Sequence, residues 1–486
     1  MDVLIFSDFF DGFIKNASSL RLANELRKDG FVIRQIHHFI HFTDEELEQI
    51  IDDFASKQGK VVCISTSFLA RDDNENYIKP PGWGKTKDGV DIFKKILYVV
   101  LCAKKKHNLK VMIGGWEVEP RKFLNKEWGF PTLMPFVDHF IIGSGANTIK
   151  KVLNGETIDK IAQSDPIEDY SDISTNPTKE DVINPNETLY FEIASGCVFS
   201  CHFCNFGSLG KKKHEYMRDY DSLKREIVSN YENFGTRMYN LTDNISNDYM
   251  EKMRMLVRIK DETGIDFKWA GYVRLDTIKS KEQADLIRDS GMIGAIMGVE
   301  SFTPSVGRYI GKMTDGERLK DTLRMCRGSW GESAVVSAMM ITGLPTETDE
   351  QARETFEFFI SKEGRHLVDT FKYTLLAIML DNDNKNDINK SRNHPFKDYK
   401  IQNDITWQSP WTDSVRARNL ANEFNDYANQ KTYITAHNMA MIGNLGFSPE
   451  KIVFMARNGT KHWDYAHFEK TRQKIEEYRR KVLTIV

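Results

Sequence analysis

Cys197, Cys201 and Cys204 stand in a CxxxCxxC spacing inside the run Cys197-Val-Phe-Ser-Cys201-His-Phe-Cys204, and they are half of the six cysteines in a chain of 486 residues. Thiolates gathered at ligand spacing suit a soft metal centre. Ordinary buried thiols have no reason to cluster this way in a cysteine-poor chain. Zinc asks for four ligands, and three cysteines plus His202 on one tight loop would be cramped for a tetrahedral site. A cubane iron–sulfur cluster fits better, because three cysteines occupy three irons and leave the fourth open to bind and activate something.

Leu189–Ile193 reads as a buried strand feeding this loop, and Gly196 permits the tight turn between them. From Leu189 to about Leu380 strands and helices alternate, most simply as a partial TIM-like (β/α)6 barrel. The strands are expected at Leu189–Ile193, Arg237–Leu241, Asp266–Gly271, Ala295–Val299, Val335–Ile341 and Thr370–Ile378. A site in such a barrel lies at the carboxyl ends of the strands. The residues that fall there are polar where a buried strand end would be apolar: Thr242, Asp243 and Asn244, then Arg274, then Glu300 and Ser301, then Thr342–Glu347.

Residues 1–153 also alternate, with apolar runs at Val3–Ser7, Val32–His37, Val61–Ser67, Lys110–Gly114 and His139–Gly143. Between them Ala17–Lys28, Asp44–Lys57 and Asp91–Lys106 carry apolar residues at helical spacing. This is the pattern of a flavodoxin-like α/β domain, whose ligands sit beyond the strand ends, here Ser7–Gly12, Ser65, Thr66 and Ser67, Gly114 and Gly115, and Gly143 to Gly145. An insertion, Leu69–Gly89, lies at the edge of that region. His37, His38 and His41 read as surface residues at a strand end. Residues 154–188 have no apolar period and read as a linker. Residues 381–486 open on a polar run, Asp381–Lys390, and continue into a small, mostly helical domain with helices near Ser414–Asn429 and His467–Leu483, the last read as a solvated helix. Trp407 and Trp411 read as core residues before substrate platforms.

Composition closes off other classes. With 40% hydrophobic residues the chain can build two or three proper cores, and a net charge of −3 with mixed signs gives no general electrostatic case for nucleic acid or membrane as a partner. The run Met1–Ser7 lacks a positive flank and is too short for a signal peptide, so a cytoplasmic, reducing location is expected, with Cys63, Cys102 and Cys326 as core thiols.

The cysteine loop, with Phe203 as the aromatic before its last cysteine, resembles the signature of the radical S-adenosylmethionine (SAM) enzymes. The first domain resembles the cobalamin-binding domain that precedes the barrel in many of them, on Gly114-Gly-Trp-Glu and Gly143-Ser-Gly-Ala. The resemblance implies a [4Fe–4S] cluster on Cys197, Cys201 and Cys204, with SAM chelating the open iron. It places Thr242 and Asp243 at SAM's amino group, Arg274 at its carboxylate, Glu300 and Ser301 at the ribose, and Ile341 and Gly343 at the adenine with Phe203 nearby. It also implies cobalamin against Ser65, Thr66, Gly114, Gly115, Gly143 and Gly145, a small-molecule substrate, and an electron donor such as flavodoxin or ferredoxin. The chain departs from the pattern twice: Asp8-Phe-Phe-Asp-Gly12 lacks the histidine that ligates cobalt in some members, and Asp243-Asn-Ile replaces the common Gly-Gly-Glu.

The chemistry so implied is reductive cleavage of SAM to methionine and a 5′-deoxyadenosyl radical. With cobalamin the outcome is methyl transfer to an unactivated carbon or phosphorus; without it, hydrogen abstraction leading to rearrangement or cleavage. A non-catalytic iron–sulfur scaffold would have no use for Arg274, Glu300 or the Gly343-Leu-Pro turn.

Overall fold

The computed structural model describes residues 1–8, 14–67, 69, 91–115, 118, 129–164, 169–204, 215–312, 315–378, 396–403, 405–429, 448–458 and 463–485. The Phe9–Gly12 part of the first loop, nearly all of the Leu69–Gly89 insertion, Trp116 with Glu117, and the Asp381–Lys390 run lie outside the described residues. The chain forms two compact units, one of Met1–Tyr190, Asp221–Thr236 and Tyr465–Val486, the other of Phe191–Tyr220 and Arg237–Asp464.

In the first unit β1 (Val3–Phe6), β2 (Ile33–Ile36), β3 (Val61–Ser65), β4 (Lys110–Gly114), β5 (His139–Ile142) and β6 (Ile161–Gln163) form one parallel sheet in the order β2-β1-β3-β4-β5-β6. This is the flavodoxin-like order extended by one strand, with its switch point between β1 and β3. β1 to β3 are buried on both faces, so β1 and β3 read as almost unbroken apolar runs, while in β2 the buried Arg34 and Gln35 are paired with Asp53 and Asp181. β6 falls inside the segment read as a linker. Only Ala162 of its three residues is buried, so there was no period to find.

The helices of this unit start where their caps say. Thr43 and Glu46 close a capping box on the Asp44–Ser56 helix, and Asn16 accepts from the Ser19 N–H at the start of Ala17–Lys28. The helix expected to run through Lys106 is α-helical over Ile92–Leu101 and then widens into a π-helical turn, Cys102–Lys106. The helix Trp463–Leu483 is not solvated all round: Ile475, Tyr478 and Val482, at helical spacing, are buried in the core of the first unit. Its many charges hid that narrow stripe.

A second sheet takes β7 (Leu189–Phe191), β8 (Met238–Leu241), β9 (Lys268–Val273), β10 (Met292–Glu300), β11 (Val335–Thr342) and β12 (Thr370–Leu375) in simple sequential order, with β8 to β12 in the second unit. The pairs β8–β9, β9–β10, β10–β11 and β11–β12 are parallel. The six strands make an open sheet among the described residues, with the strand ends expected of a partial barrel all on one edge. On β12, Asn425 of the helix Ser414–Asn429 accepts from the Tyr373 N–H and donates to the Tyr373 carbonyl, both at 2.8 Å, so a side chain satisfies backbone that a further strand would otherwise pair. A short hairpin, β13 (Lys400–Asn403) with β14 (Thr406–Gln408), precedes that helix in a region read as mostly helical.

Candidate active site

Gly196 takes φ +77° as the chain leaves β7, and the cysteine loop begins there. The loop is then fixed from several sides. The His202 N–H donates to the Ile310 carbonyl at 3.0 Å, the His202 ring lies 2.7 Å from the Tyr309 carbonyl, and the Cys204 N–H donates to the Cys201 carbonyl at 3.0 Å. His202 is therefore held to the backbone through its N–H and its Nδ1. On the return, Arg218 donates its N–H to the Ile193 carbonyl and the Ser195 N–H donates to the Tyr216 carbonyl.

All six cysteines are free thiols. Burial alone pushes Cys63 up to about 12 and is the main cause that raises Cys326 to about 12, as befits core thiols. Cys197 is different. Burial raises it as well, a backbone hydrogen bond at Phe199 opposes the rise, and Asp248 and the thiols of Cys201 and Cys204 add to it. Cysteines bind a metal centre as thiolates, whose charge the metal compensates. The donor set and the half-buried loop thus fit a cluster.

Asp243 is fully buried. It accepts the Ile193 N–H at 2.7 Å and the Ala194 N–H at 3.1 Å, and takes the Lys252 ammonium at 2.6 Å. Lys252 also meets Asp248 at 2.6 Å. Asp243 therefore staples the strand end that launches the cysteine loop. Thr242 is exposed and bonds the Phe191 carbonyl.

Arg274 sits against the cysteines. Its Nε and one Nη hold Asp276 at 2.6 and 2.8 Å, its other Nη donates to Cys201 Sγ at 3.1 Å, and its guanidinium covers the Phe199 ring at 3.8 Å. The bidentate carboxylate partner expected for this residue is thus present within the chain, as Asp276. The Asn247 side chain clamps the Arg274 backbone from both sides, accepting its N–H at 2.7 Å and donating to its carbonyl at 2.9 Å.

Glu300 adopts φ +64°, a left-handed conformation that a glutamate takes only under constraint. The constraint is Lys312, whose ammonium lies 2.9 Å from the Glu300 carboxylate and 2.7 Å from the Gly298 carbonyl. Ser301 is buried, accepts the Thr303 N–H, and hydrogen-bonds Glu347. The Glu347 carboxyl, pushed up to about 8 by burial, is neutral at physiological pH. Phe203, Ile341 and Trp407 belong to one apolar cluster, and Gly343 at φ +85° faces the Trp407 ring so closely that a Cβ would lie 2.3 Å from it. Trp407 is buried, as expected of a core residue.

Sequence reading passed over Asp276, Asn247, Lys252 and Lys312. Lys252 left a trace: it shares one helical stripe with Leu256 and Ile259, and a lysine on an apolar face needs a buried partner.

At the first unit's strand ends, Asn16 donates to the Asp8 and Ser67 carbonyls at 2.9 and 2.7 Å, and the Thr66 N–H and hydroxyl both donate to the Gly114 carbonyl at 2.7 and 2.8 Å. Gly115, at φ +103°, is pressed against the Ser67 backbone, where a Cβ would come within 2.6 Å. Gly145 donates its N–H to Ser164, and Gly143 packs on the same serine. His37 and His38 are not surface residues: both are 1% exposed, because Tyr478 packs on their rings and accepts the His37 N–H at 3.0 Å. A cavity of about 580 Å³ in this unit, lined by Arg27, Lys28 and Lys179 among others, lies elsewhere; the first two cations are already paired with Asp181, Glu25 and Asp172.

With this geometry in view, residues 191–359 match the Radical SAM superfamily. That stretch is a radical SAM domain and the protein is an enzyme, with a [4Fe–4S] cluster and SAM as cofactors. No curated protein matches by sequence. Among solved structures, the chain is similar to the cobalamin-dependent S-adenosylmethionine radical enzyme OxsB with aqua-cobalamin and SAM bound, at 12% identity and TM-score 0.59, over 99% of this chain and 80% of that one. It is also similar to the radical SAM methyltransferase TsrM from Kitasatospora setae with cobalamin and a [4Fe–4S] cluster bound, at 13% identity and TM-score 0.54, over 78% and 73% of the two chains. At such identities the likeness is one of fold, and it spans both sheets. No described helix is long and apolar enough to cross a membrane.

Proposed function

We propose that this enzyme is a cobalamin-dependent radical SAM methyltransferase that acts on an unactivated carbon or phosphorus centre of a small molecule. The observation that carries the proposal is the flavodoxin-like sheet in β2-β1-β3-β4-β5 order ahead of the radical SAM sheet, matched over nearly the whole chain by the fold of OxsB. Cys197, Cys201 and Cys204 would hold the cluster, which supplies the electron for cleaving SAM. Asp243 and Lys252 hold the start of the loop in register, and Arg274 fixes its middle through Phe199 and Cys201. Glu300, Ser301, Ile341, Gly343 and Phe203 remain the proposed walls for SAM's ribose and adenine, with Thr242 the exposed group nearest in sequence to the amino-group position.

One feature of the first unit fits cobalamin. His37 Nε2 is buried without a hydrogen-bond partner among the described residues, and burial, aided by Lys15, holds this imidazole neutral. A neutral imidazole with an open nitrogen is a competent metal ligand. Ser65, Thr66, Gly143 and Gly145 would line the nucleotide tail. The contrary reading, hydrogen abstraction by an enzyme whose front domain has lost its ligand, draws on Gly114 and Gly115, whose close approach is already used by Thr66 and Ser67. Anaerobic equilibrium dialysis of the folded protein with hydroxocobalamin separates them. Retention at micromolar protein supports the methyltransferase, and no binding supports the second reading.

A further inference from the structure

We infer that Arg274, oriented by Asp276, sets the reduction potential of the cluster through a hydrogen bond to the Cys201 sulfur. The inference rests on Cys201 being a cluster ligand, and it assigns Arg274 a positioning and tuning role that SAM binding does not require.

Three features support it. The first is aim: Nη to Sγ is 3.1 Å, short for a nitrogen–sulfur hydrogen bond, and the side chain is only 6% exposed, so water has little access to the bond. The second is fixation. Asp276 grips the far edge of the guanidinium at two points, 2.6 and 2.8 Å, Phe199 supports its face, and Asn247 holds the backbone on both sides. A long side chain so held keeps one N–H on one sulfur. The third is polarity: in the Arg274–Asp276 pair the cation is the member that touches the sulfur, so the pair presents its positive end to the ligand.

Reducing a thiolate-ligated cluster adds one electron to an already anionic group. Hydrogen bonds to the sulfurs and nearby positive charge favour the reduced form. The net charge of the pair is zero, so its effect is directional, and the two members pull in opposite senses. Removing the arginine charge makes reduction harder. Removing the aspartate charge leaves the arginine uncompensated and makes reduction easier.

The test is an anaerobic redox titration of the reconstituted full chain without SAM, following the reduced cluster by electron paramagnetic resonance, for wild type, Arg274→Gln and Asp276→Asn, with iron counted in each. Arg274→Gln is expected to disfavour reduction about tenfold, a fall of about 59 mV for one electron, and Asp276→Asn to shift the potential upward. If Arg274→Gln loses its iron, Arg274→Lys takes its place; it keeps the charge but loses the fork that Asp276 holds and the aimed bond to Cys201, so its potential should lie below that of wild type. Potentials that agree among variants with full iron would overturn the inference and leave the cluster assignment intact. A wild-type chain that holds no cluster would overturn the assignment beneath it.

Discussion

The ammonium of Lys252 lies 2.6 Å from the Asp243 carboxylate, and both side chains are entirely buried. Burial pulls the lysine pKa down, but Asp243 and then Asp248 more than reverse that, so the pair is charged and depends on both members. Lys252→Met should therefore cost about 3–5 kcal/mol, the scale of leaving one buried charge unpaired. Because Asp243 also holds the Ile193 and Ala194 N–H groups, the loss should spread to the cysteine loop. Urea unfolding would show the first effect and iron content after reconstitution the second; a variant as stable as wild type would mean that the pair is not coupled to the fold.

Glu347 should make stability depend on pH. Its folded pKa of about 8 lies above the ordinary value of 4.5, so between those limits the folded state keeps a proton that the unfolded chain has released. Stability from this group is full below that window and declines as pH rises through it. Glu347→Gln removes the dependence. The urea midpoint of the variant should gain on wild type between about pH 5 and about pH 8. Parallel pH profiles would contradict the assignment of a neutral carboxyl.

Gly343→Ala meets two obstacles at once, a backbone at φ +85° and the Trp407 ring 2.3 Å from the new Cβ. A loss of about 1–3 kcal/mol is expected from overpacking, with the Trp407 fluorescence shifted by the displaced ring. Unchanged thermal stability would show that the hairpin carrying Trp407 yields without cost.

Much of the scaffold was legible because burial on both faces writes itself into sequence. The strand Lys110–Gly114 and the helices Ala17–Lys28 and Ser414–Asn429 lie where their apolar periods place them. What escaped depends on long-range contact. The strand Ile161–Gln163 has one buried residue, and the burial of Tyr478 against His37 and His38 joins positions 441 and 440 residues apart, which no local pattern records. The same holds at the site. The cysteines announce themselves by spacing, and the polar strand ends by being polar. That Arg274 already has Asp276 two residues on, and that Asp243 is spent on backbone and Lys252, follows only from geometry.

Single Cys→Ala changes at 197, 201 and 204 should each abolish stable retention of the cluster. Cys63→Ala, in β3, and Cys326→Ala, in the helix Gly316–Trp330, should leave it intact, since burial raises both thiols far above the range in which they ionise. Iron and sulfide analysis after anaerobic reconstitution checks this. Four irons in any one of the three loop variants would contradict the ligand set.

The account stands or falls on the conversion of SAM. Wild-type protein with a full cluster, incubated anaerobically with SAM and a strong reductant, should release 5′-deoxyadenosine, accompanied by S-adenosylhomocysteine if methyl transfer is its reaction, and the Cys201→Ala variant should release neither. Liquid chromatography with mass detection reads all of these in one run. A fully loaded wild-type protein that forms neither product under any reductant would contradict the enzyme described here.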